Sequence, residues 1–430
     1  MMQQQFSSPL LGESYTYIKH PSGLAVYVFP KKMTTAHALF ATDFGSIDCY
    51  LDKEGKHRLP DGVAHFLEHK LFTNEDGSDS FEHFSALGAD ANAYTSHTRT
   101  VYLFSATDHF LDSLAELIGF VTHPFFEKES VEREKGIIGE EIRMCRDNPY
   151  DRCYYNMLSG LYSKHPIKTE ICGSVRSIAE ITPEVLYNAY RTFYHLSNMA
   201  LVVCGDVTVD EVLSVVDACL PKDVAPAAPI PRIRFAEPQN AHIARTEATG
   251  QVAKPLFCIG VKEAVIPEDP TERARRDAGL TILSEMLFSP SGDLYRELFE
   301  SGMISPEFSA DYALTRDFGF LQISGEADDP DAVLEKILTY LAKMQKEGLS
   351  REEFERAQRV EFAEFIKGFD STEEIANTLL AFAFDDSEIF SYADIVMGLT
   401  FEDIEGLFKE FFARDRFTLS VVKPKEGIEL

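Results

Sequence analysis

The stretch DGVAHFLEHKLF, residues 61–72, carries two histidines four positions apart with a glutamate between them, and Gly62 marks the predicted helix start. Residues four apart stack on one face of a helix, so His65 and His69 can converge on one ion, and Glu68 shares that face. Two imidazoles and an adjacent carboxylate supply two metal ligands and a general base for hydrolysis. The order H-x-x-E-H predicts a zinc site of the inverted type. The alternative, a helix that carries two histidines by chance, stays open on this stretch alone.

Composition limits the kinds of protein this chain can be. It has 430 residues, enough for two or three domains with hydrophobic cores, and 45% of them are hydrophobic, as in soluble globular proteins. A formal net charge of −29 repels phosphate and argues against nucleic acid as a partner. No stretch has the length and apolarity of a membrane span, so we expect no membrane association.

Cysteine usage and the amino terminus indicate the compartment. The seven cysteines are scattered and odd in number, with no C-x-x-C pair, which favours reduced thiols. Residues 1–20 lack both a basic segment and a long apolar run, so no secretory signal is visible. The expected location is therefore cytoplasmic.

A proline-rich segment divides the chain into near-equal parts. Residues 221–240, PKDVAPAAPIPRIRFAEPQN, contain five prolines, which prevent a regular helix and indicate a semi-rigid linker. We therefore predict a zinc-bearing catalytic half at residues 1–220, this linker, and a homologous non-catalytic half at residues 241–430.

The ends of the two halves resemble each other. ITPEVLYNAYRTFYHLSNMALVVCGD, residues 181–206, aligns without a gap on LTFEDIEGLFKEFFARDRFTLSVVKP, residues 399–424, and Thr182 falls on Thr400. Each copy is typical of a threonine-capped helix followed by a buried strand. The pattern indicates a duplication, although two generic helix–strand units can also align by chance.

The opening motif has a counterpart in the second half. AGLTILSEMLF, residues 278–288, repeats the apolar pattern and the final Leu-Phe of the first motif. Thr281, Ser284 and Glu285 stand there in place of the first histidine, the glutamate and the second histidine. The expected fold class is α+β, with two homologous layered halves related by duplication, each a mixed sheet covered by helices.

A third metal ligand must come from outside the first helix, since a catalytic zinc usually takes three protein ligands and leaves the fourth position to water. Residues 127–149, EKESVEREKGIIGEEIRMCRDNP, form a predicted helix with an apolar stripe. Glu134 and Glu141 lie seven apart at the margin of this stripe, while Glu140 turns further toward solvent. Glu141 is therefore the favoured third ligand. The alternative is that these glutamates only form a solvated face.

Taken together, these segments resemble the pitrilysin, insulin-degrading-enzyme and mitochondrial-processing-peptidase family of zinc peptidases. The resemblance covers nearly all of the chain and rests on the HFLEH helix, the later glutamate helix, an N-A-x-T segment and the duplicated second half. It implies that His65, His69 and Glu141 bind one zinc ion per chain. It also implies that Glu134 supports the ligands and that Glu68 is the general base. The implied activity is hydrolysis of short or unfolded peptides, in which Glu68 assists the attack of a zinc-bound water.

The N-A-x-T segment, GADANAYTSHTRTVYLFSA at residues 88–106, looks like the active-site edge strand of the family. In the family this strand pairs with an extended substrate and reads its backbone. The resemblance implies that Asn92 hydrogen-bonds the substrate main chain, with Ala93 beside it. An ordinary strand with a polar face is the alternative.

One family feature is missing from the second half. Many relatives carry an arginine and, a few residues later, a tyrosine, which grip the substrate backbone opposite the zinc. In YRELFESGMISPEF, residues 295–308, Phe299 and Ser305 stand near those two places, and Arg296 lies on a different helix face. The chain also has half the length of members that enclose a chamber alone, so it would form half of a clamshell. We therefore expect a heterodimer with a homologous chain that lacks the zinc motif. The alternatives are a homodimer, or a zinc-binding structural subunit of a larger complex.

Overall fold

The computed structural model describes residues 2–52, 54–222, 226–227 and 232–425. Of the predicted linker, residues 223–225 and 228–231 lie outside the described residues. The linker residues that are described contain neither helix nor strand up to residue 240.

Two β-sheets account for all twelve strands of the described residues. The strands are β1 (Met2–Ser8), β2 (Glu13–Lys19), β3 (Ala25–Pro30), β4 (Ala36–Thr42), β5 (Asp90–Thr95), β6 (Thr100–Ala106), β7 (Met199–Gly205), β8 (Arg245–Gly250), β9 (Leu256–Lys262), β10 (Ser309–Leu314), β11 (Gly319–Glu326) and β12 (Phe417–Pro424).

Helices fill most of the chain between the strands. They are α1 (Val63–Leu71), α2 (Ser80–Ala86), α3 (Phe110–Thr122), α4 (Lys128–Asp147), α5 (Pro149–Leu161), α6 (Val175–Ala179), α7 (Pro183–Phe193), α8 (Val209–Cys219), α9 (Pro270–Phe288), α10 (Asp293–Glu300), α11 (Pro330–Glu347), α12 (Arg351–Gly368), α13 (Thr372–Phe384), α14 (Ser391–Gly398) and α15 (Phe401–Phe411). Short 3-10 turns lie at Pro166–Lys168, Leu196–Asn198 and Arg414–Arg416.

The first sheet has seven strands in the order β1-β2-β3-β7-β4-β6-β5. β3 and β7 run parallel, and every other neighbouring pair is antiparallel. β4 and β7 are buried along their whole length, which explains their nearly continuous apolar sequences. β5 is an edge strand, so one side of its backbone is left without a partner strand in the described part of the chain.

The second sheet repeats this arrangement with five strands. Its order is β10-β11-β9-β12-β8, with β12 and β8 parallel and the other pairs antiparallel. The same order and directions hold for β5-β6-β4-β7-β3 of the first sheet. The aligned sequence ends also match, since Thr182 and Thr400 cap α7 and α15, and each helix leads into a buried strand. The predicted α+β fold of two similar layers is confirmed.

The compact units differ from the two halves of the sequence by one exchanged helix each. One unit comprises Met1–Ile142, Thr169–Ile233 and Ile366–Phe384, and the other comprises Arg143–Lys168, Arg234–Phe365 and Asp385–Leu430. α5 packs on β12, β9 and β8, while α13 packs on β4 and β7. The division at residues 1–220, 221–240 and 241–430 therefore stays a prediction about the duplication of the sequence.

A glycine in the second sheet explains how α5 approaches it. A Cβ added at Gly260 on β9 would lie 2.8 Å from Met157 Cγ and 2.9 Å from Leu161 Cδ1, both on α5. A side chain at this position would therefore force Met157 and Leu161 to move, so glycine allows α5 to pack closely on the second sheet.

Among the residues that the structure describes, no helix has both the length and the apolar composition needed to cross a membrane.

Candidate metal centre

The helix α1 begins at a position that only glycine fills easily. Gly62 has φ of 92°, in the left-handed region, and a Cβ there would lie 2.5 Å from the carbonyl oxygen of Cys172. Phe66 and Leu67 are fully buried in the core of the first unit. These contacts fix the rotation of α1, and with it the direction of the metal-ligating side chains.

The structure brings His65, His69 and Glu141 together. His65 Nε2 lies 3.3 Å from Glu141 Oε1, and His69 Nε2 lies 3.5 Å from Glu141 Oε2. Within the described residues, these three form the one group of at least three donors whose ligand atoms all lie within 4.8 Å of each other. Glu140, the neighbouring candidate, is exposed, whereas Glu141 is half-buried.

The chemistry of the donor set fits a zinc ion. Two imidazole nitrogens and one carboxylate oxygen are a known combination for catalytic zinc. Ligand bonds of about 2.0–2.1 Å in a tetrahedron place neighbouring donor atoms about 3.3–3.4 Å apart. The histidine nitrogens lie 3.3 and 3.5 Å from the two different oxygens of Glu141, and one donor atom from each residue lies within 4.8 Å of the others, so the three side chains can reach one ion.

Glu134 lies behind the ligands. Its Oε1 is 3.0 Å from His69 Nδ1, so it can accept the ring N–H and leave Nε2 free to bind a metal. Its Oε2 is 4.0 Å from the Nζ of Lys70, which is only 2% exposed and donates to Thr73 Oγ1 at 3.2 Å. Lys70 was not predicted from the sequence, where its one signal was a charged residue directly before the apolar Leu71 and Phe72.

The carboxylates set the charge of the site. Burial alone would lower the pKa of His69, but the hydrogen bond to Glu134 and the charges of Glu68, Glu134 and Glu141 outweigh it and raise that pKa above its usual value. The hydrogen bond with His65 lowers the pKa of Glu141. The cluster therefore carries negative charge that favours a cation between the histidines.

Glu68 points at the edge strand. Its Oε2 accepts a hydrogen bond from Thr95 Oγ1 at 2.5 Å, the short distance typical of a charged acceptor. Thr95 is the last residue of β5. The sequence segment had suggested substrate contacts here, but it gave no sign that this hydroxyl would meet Glu68.

The predicted substrate-binding residues lie on β5. Asn92 is exposed, and its Oδ1 accepts the backbone N–H of Ala93 at 2.8 Å. The role of Asn92 and Ala93 in substrate binding stays a prediction.

The counterpart of the motif in α9 has no metal group. Glu285, in the place of the second histidine, is paired with Arg356, with Oε1 and Nη1 2.6 Å apart. Ser284 is buried, and its hydroxyl has no partner in the described part of the chain. The second unit therefore retains the helix while a salt bridge occupies one ligand position.

The stretch that lacks the arginine–tyrosine pair forms α10 and the turn after it. Phe299 is 45% exposed and its ring stacks on Tyr295 with the centroids 5.8 Å apart. Arg296 contacts Asp293 on the same helix. An aromatic pair therefore occupies the exposed part of the stretch where the family resemblance led us to look for an arginine.

An α+β fold of two similar sheets with an inverted H-x-x-E-H motif and a distant glutamate defines a class of zinc metallopeptidase folds. Residues 57–174 match the family model described as insulinase (peptidase family M16), and residues 180–361 match the one described as peptidase M16 inactive domain. A Bacillus subtilis (strain 168) protein, "Uncharacterized zinc protease YmfH", is 38% identical over 420 residues, 96% of this chain and 98% of that protein. The chain belongs to the peptidase M16, or insulinase, family.

Solved structures agree with this assignment. A protein from Alicyclobacillus acidocaldarius, described as a candidate M16-like peptidase, is 32% identical with a TM-score of 0.91, over 98% of this chain and all of that chain (100%). A protease from Helicobacter pylori has a TM-score of 0.82 over 96% of this chain and 100% of its own, at 20% identity, which supports the fold alone.

Proposed function

We propose that this chain is a zinc-dependent endopeptidase that cleaves short or unfolded peptides. One observation carries the proposal: His65, His69 and Glu141 bring together two imidazole nitrogens and a carboxylate oxygen within 4.8 Å of one another, and Glu68 lies on the same helix face as the histidines. The membership of the chain in the M16 family supports a peptide as the substrate.

The side chains divide the work of hydrolysis. When bound, zinc polarises the scissile carbonyl and makes a coordinated water more acidic. Glu68 accepts the proton of the attacking water and delivers it to the leaving amine. Glu134 holds the ring of His69, and β5 offers its free edge to an extended peptide, where Asn92 can turn from Ala93 to the substrate backbone.

The metal assignment is tested by two neighbouring glutamates. Glu141→Gln should reduce bound zinc from about one per chain to a small fraction, because it removes a charged ligand. The matched control is Glu140→Gln, which alters an exposed side chain on the same helix turn and should keep the zinc. Zinc content is measured by atomic emission after gel filtration. Equal loss in both variants, or in neither, would refute the ligand set.

The chemical assignment is tested on Glu68. Glu68→Gln preserves size and hydrogen bonding but removes the base, which typically contributes about 10²–10⁴-fold. The variant should bind zinc like the parent and lose most of its turnover of a quenched fluorescent peptide. A zinc-loaded parent that cleaves no peptide would instead support a zinc-binding structural subunit.

The missing clamp supports a second chain in the active enzyme. Phe299 and Ser305 offer no cation to a substrate backbone, and Arg296 is engaged by Asp293. We therefore propose a heterodimer with a homologous chain that lacks the zinc motif and supplies the arginine–tyrosine pair, with a homodimer as the alternative. Peptidase activity of the isolated chain should be low and rise many-fold with that partner. Full activity that no such chain changes would favour the homodimer.

We place the protein in the cytoplasm. All seven cysteines are free thiols, which fits a reducing compartment. Fractionation of cells that carry the tagged full-length protein tests this location.

A further inference from the structure

A hydrogen bond joins Glu68, the proposed general base, to β5, the proposed substrate-binding strand. Thr95 Oγ1 donates to Glu68 Oε2 at 2.5 Å, and within the described residues it is the one recorded hydrogen-bond partner of this carboxylate. Thr95 ends the edge strand to which the proposed function assigns the substrate backbone. A single side chain therefore joins the strand edge to the proposed base.

The hydroxyl of Thr95 packs against a buried hydroxyl on the neighbouring strand. Its Oγ1 lies 3.5 Å from Thr100 Oγ1, and Thr100 is fully buried and donates to the carbonyl of Phe44 at 2.9 Å. Nearby, the hydroxyls of Tyr102 and Tyr194 lie 2.8 Å apart in the core. Because Thr95 donates its proton to Glu68 and Thr100 donates its proton to Phe44, the two threonine hydroxyls meet as a packing contact, and the buried Thr100 side chain limits where the Thr95 hydroxyl can lie.

The direction of the side chain excludes a simple substrate contact. Side chains alternate across a strand, and Thr95 points from β5 toward α1, whereas a paired peptide meets the backbone edge of the strand. Tyr94, its neighbour, points to the other side, where its hydroxyl donates to Asn377 Oδ1 at 3.2 Å.

We propose that Thr95 is a positioning residue for Glu68. Its hydroxyl holds one oxygen of the Glu68 carboxylate, so that the other oxygen is directed at the attacking water. Because Thr95 lies on β5, the orientation of Glu68 then depends on the position of the strand that binds the peptide. The inference rests on the proposed peptidase function. It predicts that loss of the hydroxyl slows turnover without weakening either zinc binding or peptide binding.

The decisive variants remove the hydroxyl without changing the shape of the side chain. Thr95→Val should lower kcat about 10- to 100-fold, the effect of losing one hydrogen bond to a charged group, with KM and zinc content unchanged. Thr95→Ser keeps the hydroxyl and should restore most of kcat. Tyr94→Phe is the matched control, because it removes a hydroxyl from the same strand on the opposite face, and it should have parental kinetics.

A double variant tests whether Thr95 acts through Glu68. If it does, Thr95→Val should cause no further loss in a Glu68→Gln background. A kcat of Thr95→Val equal to the parent's, equal losses in the valine and serine variants, or a change in KM alone would overturn the proposal. A further loss in the double variant would do the same.

Crystal structures keep this inference separate from the proposed function. In zinc-loaded parent crystals the Glu68 carboxylate should occupy one conformer, and in Thr95→Val crystals more than one. If the parent protein had no peptidase activity, the proposed function would be wrong, but the comparison of Glu68 conformers in the two crystals could still be made. A single unchanged conformer in Thr95→Val would defeat the positioning role even in an active enzyme.

Discussion

Replacing Glu134 by glutamine should weaken zinc binding and destabilise the metal-free protein by two separate routes. The variant loses the carboxylate that accepts the N–H of His69, 3.0 Å away. Loss of such a supporting partner typically lowers metal affinity about 10- to 100-fold, which is about 1.4–2.7 kcal/mol. Zinc affinity is measured by competition with a chromophoric chelator.

The second effect, on the stability of the metal-free protein, arises from the buried Lys70. Lys70 is 2% exposed and its ammonium lies 4.0 Å from Glu134 Oε2, a separation worth about 4 kcal/mol at an effective dielectric constant of about 20. Glu134→Gln leaves this cation without its carboxylate, so the metal-free protein should lose about 3–4 kcal/mol of stability. Urea unfolding of the metal-free protein measures this loss.

A double variant separates the two routes. Lys70→Met together with Glu134→Gln removes the buried charge and should restore most of the stability, because apolar groups can replace a buried ion pair at little cost. Zinc affinity should stay low, since His69 still faces a neutral amide oxygen in place of the carboxylate. The reasoning would be refuted if Glu134→Gln changed stability by less than about 1 kcal/mol, or if the double variant regained parental zinc affinity.

Three further results are expected. Glu237 accepts hydrogen bonds from the backbone N–H groups of Ser163, Lys164 and His165 and, at 3.0 Å, from the ammonium of Lys262. Burial alone would raise the pKa of Glu237, but these bonds lower it from 4.5 to about 2. Because the pKa of Glu237 is lower in the folded than in the unfolded protein, its stabilisation is present above pH 4.5 and lost toward pH 2. In urea unfolding at neutral pH, Glu237→Gln should therefore cost about 2 kcal/mol after allowance for solvent screening, and an unchanged stability would contradict this. Burial lowers the pKa of His37 from 6.5 to about 4, so the free energy of unfolding should fall as the pH drops from 6.5 to 4. His37→Gln should remove this dependence on pH in acid titrations, and an unchanged dependence would contradict the assignment. The zinc-loaded enzyme should cleave an unfolded peptide much faster than the same sequence inside a stable folded domain, as followed by mass spectrometry, and equal rates would contradict backbone reading by β5.

The sequence by itself determined the local chemistry of the site. His65, Glu68 and His69 share a helix face because their spacing follows the helical repeat, and the same repeat places Glu134 and Glu141 together. The likeness of the two sheets was also indicated by the matching helix–strand units at residues 181–206 and 399–424, whereas the order of their strands was not. Such features depend on residues that are close along the chain, so periodicity is enough to predict them.

Contacts between distant segments were decided only by the tertiary structure. Thr95 meets Glu68 across 27 residues, and Lys70 faces Glu134 because α1 and α4 pack at one rotation among several that the sequence allows. The packing of α5 on the second sheet and of α13 on the first was likewise visible only in the structure, and Gly260 allows α5 to approach its sheet closely. No local repeat encodes these pairs, because the shape of the packed interior selects which side chains meet.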